Sequence, residues 1–180
     1  MSETEEIERN VRAALEALAG NFEILPCDPE LADTAVFCAR YGIPPGESGN
    51  TIVVATKKEP KTYAACLVLS TTRLDVNHAV RKLLGGQKLS FASGEETRAL
   101  TGMMMGGVTV FGLPPEIPVF IDSAVLEARS VVVGGGSRSS KIRIAPEVLR
   151  RVPNAAVIEG LALDPSLRPE TLSLLQNEGP

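Results

Sequence analysis

Residues 51–70 read TIVVATKKEPKTYAACLVLS, two runs rich in β-branched and apolar residues on either side of a short charged connection that carries a proline. The composition of the runs, TIVVAT and TYAACLVLS, predicts strands, and the connection between them predicts a hairpin. A hairpin breaks the strict strand–helix–strand alternation that a doubly wound parallel sheet requires. The fold class expected is therefore α/β of the mixed α+β kind: a mixed β-sheet with flanking helices in a single domain.

Upstream, Ile7, Val11, Ala14, Leu15 and Leu18 recur at helical spacing and Gly20 follows as a stop, so residues 3–19 predict an amphipathic helix. A short strand is expected at 22–25 and a second helix over Leu31–Tyr41, ended by GIPPGESG. Downstream, DVNHAVRKLLGG predicts a helix capped by Asp75 and ended by Gly85. KLSFAS then reads as a strand and GEETRALTG as a helix. PVFIDSAVL, SVVVGGG and KIRIAP read as further strands, and PEVLRRV as a short helix with proline in its first turn. The chain divides into an N-terminal helix and lead-in over 1–29, a domain over 30–160 and a loosely attached tail over 161–180.

The 180 residues, 44% apolar and 22% charged, suit one globular domain with a core. The start MSETEEIERN lacks the basic and apolar regions of a signal peptide, and no run approaches the length of a membrane span, so a cytoplasmic location is expected. The net charge of −4 is unevenly spread. Residues 1–30 hold eight acids against Arg9 and Arg12, whereas 57–88 hold seven bases against Glu59 and Asp75. A polyanion can bind the middle of the chain, while the acidic total argues against broad non-specific nucleic-acid affinity.

Cys27, Cys38 and Cys66 lie far apart with no CxxC pair, and read as reduced, buried thiols. The single histidine, His78, falls on a basic helix, where an exposed helix-face role is the default. GESGN at 46–50 approaches a hydrolase elbow but ends in Asn50 and precedes a strand, so it reads as a turn. GGGSRSSK at 134–141 fits neither phosphate-loop pattern. Two readings of it stand: a turn between strands, or a contact with a phosphate or substrate end in which Arg138 or Lys141 neutralises charge. TGMMMGGVTVFGLP at 101–114 likewise reads either as a buried corner or as the wall of a small pocket. Asp122 is a strand-end carboxylate, for that pocket or for a turn.

In order, TIVV, LDVNHAVRKLLGGQKLSFAS, TGMMMGGVTVFGLP, VFIDSAVLE and VVVGGGSRSSKIRI resemble the YbaK/EbsC-type domain, the prolyl-tRNA editing domain found alone and inserted in bacterial prolyl-tRNA synthetases. The resemblance covers about residues 30–150. It implies a stand-alone trans-editing aminoacyl-tRNA deacylase that cuts the ester of a mischarged tRNA, Ala- or Cys-tRNA(Pro) in type. It also implies no metal or organic cofactor. The tRNA acceptor end is the implied partner, with an aminoacyl-tRNA synthetase as a further candidate and neither DNA nor membrane. Catalysis would rest on positioning, on the substrate's ribose hydroxyl and on backbone groups.

Carried over residue by residue, the resemblance places the pocket loop on Gly106, Gly107, Val108 and Thr109, with Met105 before it as a candidate substrate-binding residue. The second glycine turn falls on Gly134, Gly135, Gly136, Ser137 and Arg138, and the acid on Asp122. The family's lysine before the TLV-like strand corresponds to Asn50, and its loop proline to Val110. Asn50 can hydrogen-bond but brings no charge, so Lys57 and Lys58 on the following turn are candidates to contact the substrate. The neutral residue also leaves a second reading, a non-catalytic module that binds a tRNA end, an aminoacyl-nucleoside or a protein. If the glycine pair lines the pocket, Gly107→Val is expected to abolish ligand binding and leave the fold intact.

Overall fold

The computed structural model describes residues 1–166. Helix α1 (Glu3–Ala17) begins with a capping box, in which the Ser2 hydroxyl takes the Glu5 N–H and the Glu5 carboxylate takes the Ser2 N–H. Its buried residues Ile7, Val11 and Leu15 recur every four positions and lie in the main core. The first 29 residues thus contribute to the same core as the rest of the chain. Strand β1 (Phe22–Pro26) follows and pairs with a strand more than a hundred residues away.

The segment expected as one helix over 31–41 is divided. A short 3-10 turn, Pro29–Leu31, precedes α2 (Thr34–Tyr41), because Asp33 is extended at the N-cap; Gly42 ends α2 at φ 67°. The hairpin is present: β2 (Gly49–Thr56) and β3 (Tyr63–Leu69) pair antiparallel, with Thr51 opposite Leu67. Strand β4 (Arg73–Leu74) comes next, then a π-type turn at Val76–Val80 and the brief α3 (Arg81–Leu83), where one longer helix was expected. Asp75 does act as the cap, accepting the His78 N–H at 3.2 Å.

Strand β5 (Leu89–Phe91) and α4 (Gly94–Thr101) match the sequence reading. PVFIDSAVL is not one strand: β6 (Val119–Asp122) stops where Asp122 turns its carboxylate onto the Ala124 N–H and starts α5 (Ser123–Glu127). Strands β7 (Val131–Gly134) and β8 (Ser140–Ile144) flank the second glycine turn. A 3-10 segment, Pro146–Arg151, and strand β9 (Ala155–Ile158) follow. Leu163, placed by the sequence reading in a loose tail, belongs to β10 (Ala162–Leu163), which pairs with β4. The remainder of that tail, 167–180, lies outside the described residues.

The larger sheet has the order β5-β2-β3-β6-β9, antiparallel around the hairpin and parallel from β3 to β9; the smaller has the order β1-β8-β7. The two sheets share the main core, to which Val53, Leu67 and Ile121 contribute from one and Val131, Val133, Ile142 and Ile144 from the other. Beyond the larger sheet lies a second cluster around Val54, Cys66 and Phe120. Beyond the smaller sheet, Cys27, Ala32, Phe37, Cys38 and Val132 form a third, roofed by α2. The sheets meet at the start of β2. Ser48 bridges to Val132 there, and a Cβ on Gly49 would press on Leu67, Val131 and Val133.

Candidate functional site

A cavity of about 220 Å³ opens at this seam. Its floor is the start of β2 from Ser48 to Ile52, and its back wall is Val132–Gly134 of β7. Met105, Gly106 and Val108 close one side, and Asp33, Thr34 and Phe37 of the α2 entry close the other. The volume lies below the roughly 300 Å³ at which drug-sized sites begin, so the cavity admits a small group.

The glycine turns build its walls by backbone contact. The Gly136 N–H donates to Gly107 O at 2.6 Å, Met104 N–H to Gly136 O at 2.9 Å, and Gly107 N–H to Met104 O at 2.9 Å. A Cβ on Gly107 would run into the Ser137 carbonyl, and one on Gly134 into the carbonyls of Gly107 and Val108. Gly106 has φ +87°, a conformation that suits glycine. Gly107 is thus a packing position, and Gly107→Val cannot leave the fold untouched as expected above. The methionines divide their duties: Met103 is buried in the core, Met104 packs against it, and Met105, 53% exposed, stands at the cavity rim.

Two cations tie the walls together. The Arg138 guanidinium donates through Nε to Pro29 O at 2.9 Å, and through Nη1 to Met105 O and to the Asp33 carboxylate, both at 3.1 Å. Lys141 of β8 is buried, and its Nζ donates to Ala32 O at 2.8 Å and Gly106 O at 2.6 Å, 5.3 Å from the Phe37 ring centre. On β2, the Asn50 Oδ1 accepts the Thr34 hydroxyl at 2.6 Å. The hydroxyl of Thr51 is buried beside the cavity with no hydrogen-bond partner among the described residues.

Of the residues singled out from the sequence, Asn50, Met105, Gly106, Val108, Gly134 and Lys141 line the cavity, and Gly107 and Arg138 hold its walls. Thr109 is fully buried behind Met103, whose sulfur accepts its N–H at 3.5 Å. Gly135 and Gly136 turn towards α1: Gly135 lines a groove beneath that helix, and Gly136 faces Ile7 and Val11. Ser137 is bound there too, donating its hydroxyl to the Glu8 carboxylate and accepting the Ser139 N–H.

Asp122 stands away from the cavity, with one carboxylate oxygen on the Ala124 N–H at 2.9 Å and the other on the Ala162 N–H at 2.8 Å. Lys57 and Lys58 are exposed beyond the far end of β2, about 23 Å from Asn50 at the usual rise per strand residue. Lys57 borders a different groove with Arg73, Asn77, His78 and Phe91. Val110, at the position of the loop proline, is core.

Asp33, Thr34, Phe37 and Thr51 escaped the sequence reading as pocket residues, whereas Lys141, one of the two cations it offered for a phosphate or substrate end, does line the cavity. Asp33 to Phe37 belong to no recognisable motif and are brought in by the roofing of α2. Among the described residues no group of three or more His, Cys, Asp or Glu is placed to hold a metal ion, and no helix is long and apolar enough to cross a membrane. All three cysteines are free and buried.

The family model described as "Aminoacyl-tRNA editing domain" matches residues 28–152. A candidate Cys-tRNA(Pro)/Cys-tRNA(Cys) deacylase, EbsC of Enterococcus faecalis, is 24% identical over 118 residues, covering 66% of this chain and 70% of its own. The crystal structure of a candidate trans-editing enzyme for prolyl-tRNA synthetase superposes with a TM-score of 0.72 at 27% identity, over 84% of this chain and 94% of that one. The hypothetical protein APE2540 has the same fold, with a TM-score of 0.75 at 24% identity over 86% of this chain and 99% of that one.

Proposed function

Because the chain belongs to the aminoacyl-tRNA editing domain family, we propose that it is a trans-editing deacylase that hydrolyses the ester of a mischarged tRNA bearing a small amino acid, alanine or cysteine on tRNA(Pro). The observation that carries this reading is the small cavity itself, which gathers Asn50, Met105 and Gly106 where the two sheets meet. Its size suits a short side chain, and the exposed Met105 at its rim is an adaptable gauge of depth.

The chemistry asks little of strong nucleophiles. An aminoacyl ester is activated, so holding it beside a water and the neighbouring ribose hydroxyl supplies most of what is needed. The Thr34 hydroxyl occupies the amide oxygen of Asn50 and so fixes which way the amide turns, leaving its NH₂ as the donor for a substrate oxygen. Lys57 and Lys58 lie too far along β2 to reach the ester. They suit the phosphates of the tRNA body, a contact that weakens steeply with salt. A synthetase that recognises the same tRNA would add specificity at that stage.

The test is loss of the ester from a panel of labelled aminoacyl-tRNAs, beginning with Ala- and Cys-tRNA(Pro). Turnover above the buffer rate is expected for at least one of them. The neutral Asn50 favours a second reading, a binding module of the same fold, and retained tRNA binding without turnover across the panel would establish that instead.

A further inference from the structure

We infer that Lys141 is a substrate-binding residue, the positive pole of the cavity, whose ammonium takes an oxygen of the aminoacyl ester end. The inference rests on the deacylase reading of the cavity and deepens it. Lys141 is only 6% exposed, yet no carboxylate lies within ion-pair distance of it among the described residues; the nearby Asp33 is paired with Arg138 instead. A buried cation without a counter-charge is costly unless hydrogen bonds or a ligand offset the loss of water. Two of its three N–H groups go to the carbonyls of Ala32 and Gly106, and the side chain lines the cavity.

The polar wall beside it points the same way. Asn50 brings an amide from the start of β2. An ammonium and an amide from two strands thus line a cavity with no acid of its own except the engaged Asp33. That is the complement of an oxygen-rich ligand. Desolvation holds the Lys141 pKa below the ordinary lysine value, with Arg138 acting in the same sense and Cys27, Asp33 and Cys38 opposing it. An acceptor oxygen in the cavity would offset part of that burial cost.

The probe is alanine joined by an amide to 3′-amino-3′-deoxyadenosine, which cannot be hydrolysed, with its binding measured by calorimetry. Lys141→Met is expected to weaken binding about 10- to 100-fold, the usual range for a lost hydrogen bond to a charged group. Lys141 also clips two loops, so the discriminating variants are Lys141→Gln, whose amide can still donate to both carbonyls, and Lys141→Arg, which keeps the charge. Lys141→Gln is expected to bind as weakly as Lys141→Met, and Lys141→Arg to retain binding to within about threefold.

Binding unchanged in Lys141→Met, or wild-type binding by Lys141→Gln, overturns the inference and leaves the deacylase reading standing. No binding by the wild type overturns both. If Lys141→Met does not fold, Lys141→Gln and Lys141→Arg decide. Weak binding by Lys141→Gln with binding retained by Lys141→Arg supports the inference, and equal binding by the two overturns it.

Discussion

The Thr34 hydroxyl donates to the Asn50 amide oxygen at 2.6 Å, tying the first turn of α2 to the start of β2 across the mouth of the cavity. The two side chains act as one unit. Thr34→Val and Asn50→Ala should therefore each slow deacylation, and the double variant should lose little more than the worse single one, since groups in one hydrogen-bonded pair are not additive. Additive losses in single-turnover deacylation would show that Asn50 works without Thr34. The stability cost of either variant is expected at about 0.5–1.5 kcal/mol.

The glycine turns yield a contrast within one chain. Gly107→Ala places a methyl group on the Ser137 carbonyl, a backbone atom that cannot swing aside. A loss of at least about 3 kcal/mol in denaturant unfolding, or failure to accumulate as soluble protein, is expected from such overpacking. Gly46→Ala meets nothing within 4 Å and has no positive φ, so it should be neutral or stabilise by about 0.4–1 kcal/mol through the unfolded chain. A tolerated Gly107→Ala would mean that the two turns are not held together as described.

Asp122 separates structure from catalysis. Its carboxylate caps α5 and holds the Ala162 N–H, so Asp122→Ala should cost about 1–2 kcal/mol in urea unfolding. Turnover per folded molecule should stay within about twofold, because a cap that does not touch the substrate leaves the barrier unchanged. A hundredfold fall in kcat with normal stability would return Asp122 to the reacting centre.

These three cases also show what the sequence could and could not convey. The hairpin at 51–70 was legible because β-branched runs and a charged proline connection leave little choice. Helix α1 was legible from its four-residue period. Asp122 was legible as a significant acid, but the N–H groups it serves come from the next turn and from a residue forty positions away, which only folding brings near. Lys141 was legible as one of two cations for an anionic or substrate end, but not as a buried residue. In β8 it alternates with Ile142 and Ile144, and its same-face neighbour Arg143 reaches Glu23 at the surface, so the pattern marks Lys141 as exposed. It is buried because the 27–38 segment folds over that one end of the face, a tertiary event with no local signal.

Burial of the thiols gives the pH dependence a definite sign. Desolvation pushes Cys66 from 9.0 up to about 12, so between those values the unfolded chain gives up this proton while the native chain keeps it. Stability from this group is therefore complete below about pH 9 and falls as pH rises toward 12. Lys141 contributes the opposite slope. Its native pKa lies below the ordinary 10.5, the unfolded chain binds the extra proton, and stability rises with pH across that interval. Replacing Cys66 by alanine should consequently flatten the alkaline decline of the urea midpoint, whereas Lys141→Met should steepen it. The thiol itself, fully buried and protonated, should resist alkylation at pH 8 in the native chain and react once the chain is unfolded. Rapid native labelling of Cys66 would mean that the β2–β3 hairpin opens locally, and with it the strand that carries Asn50.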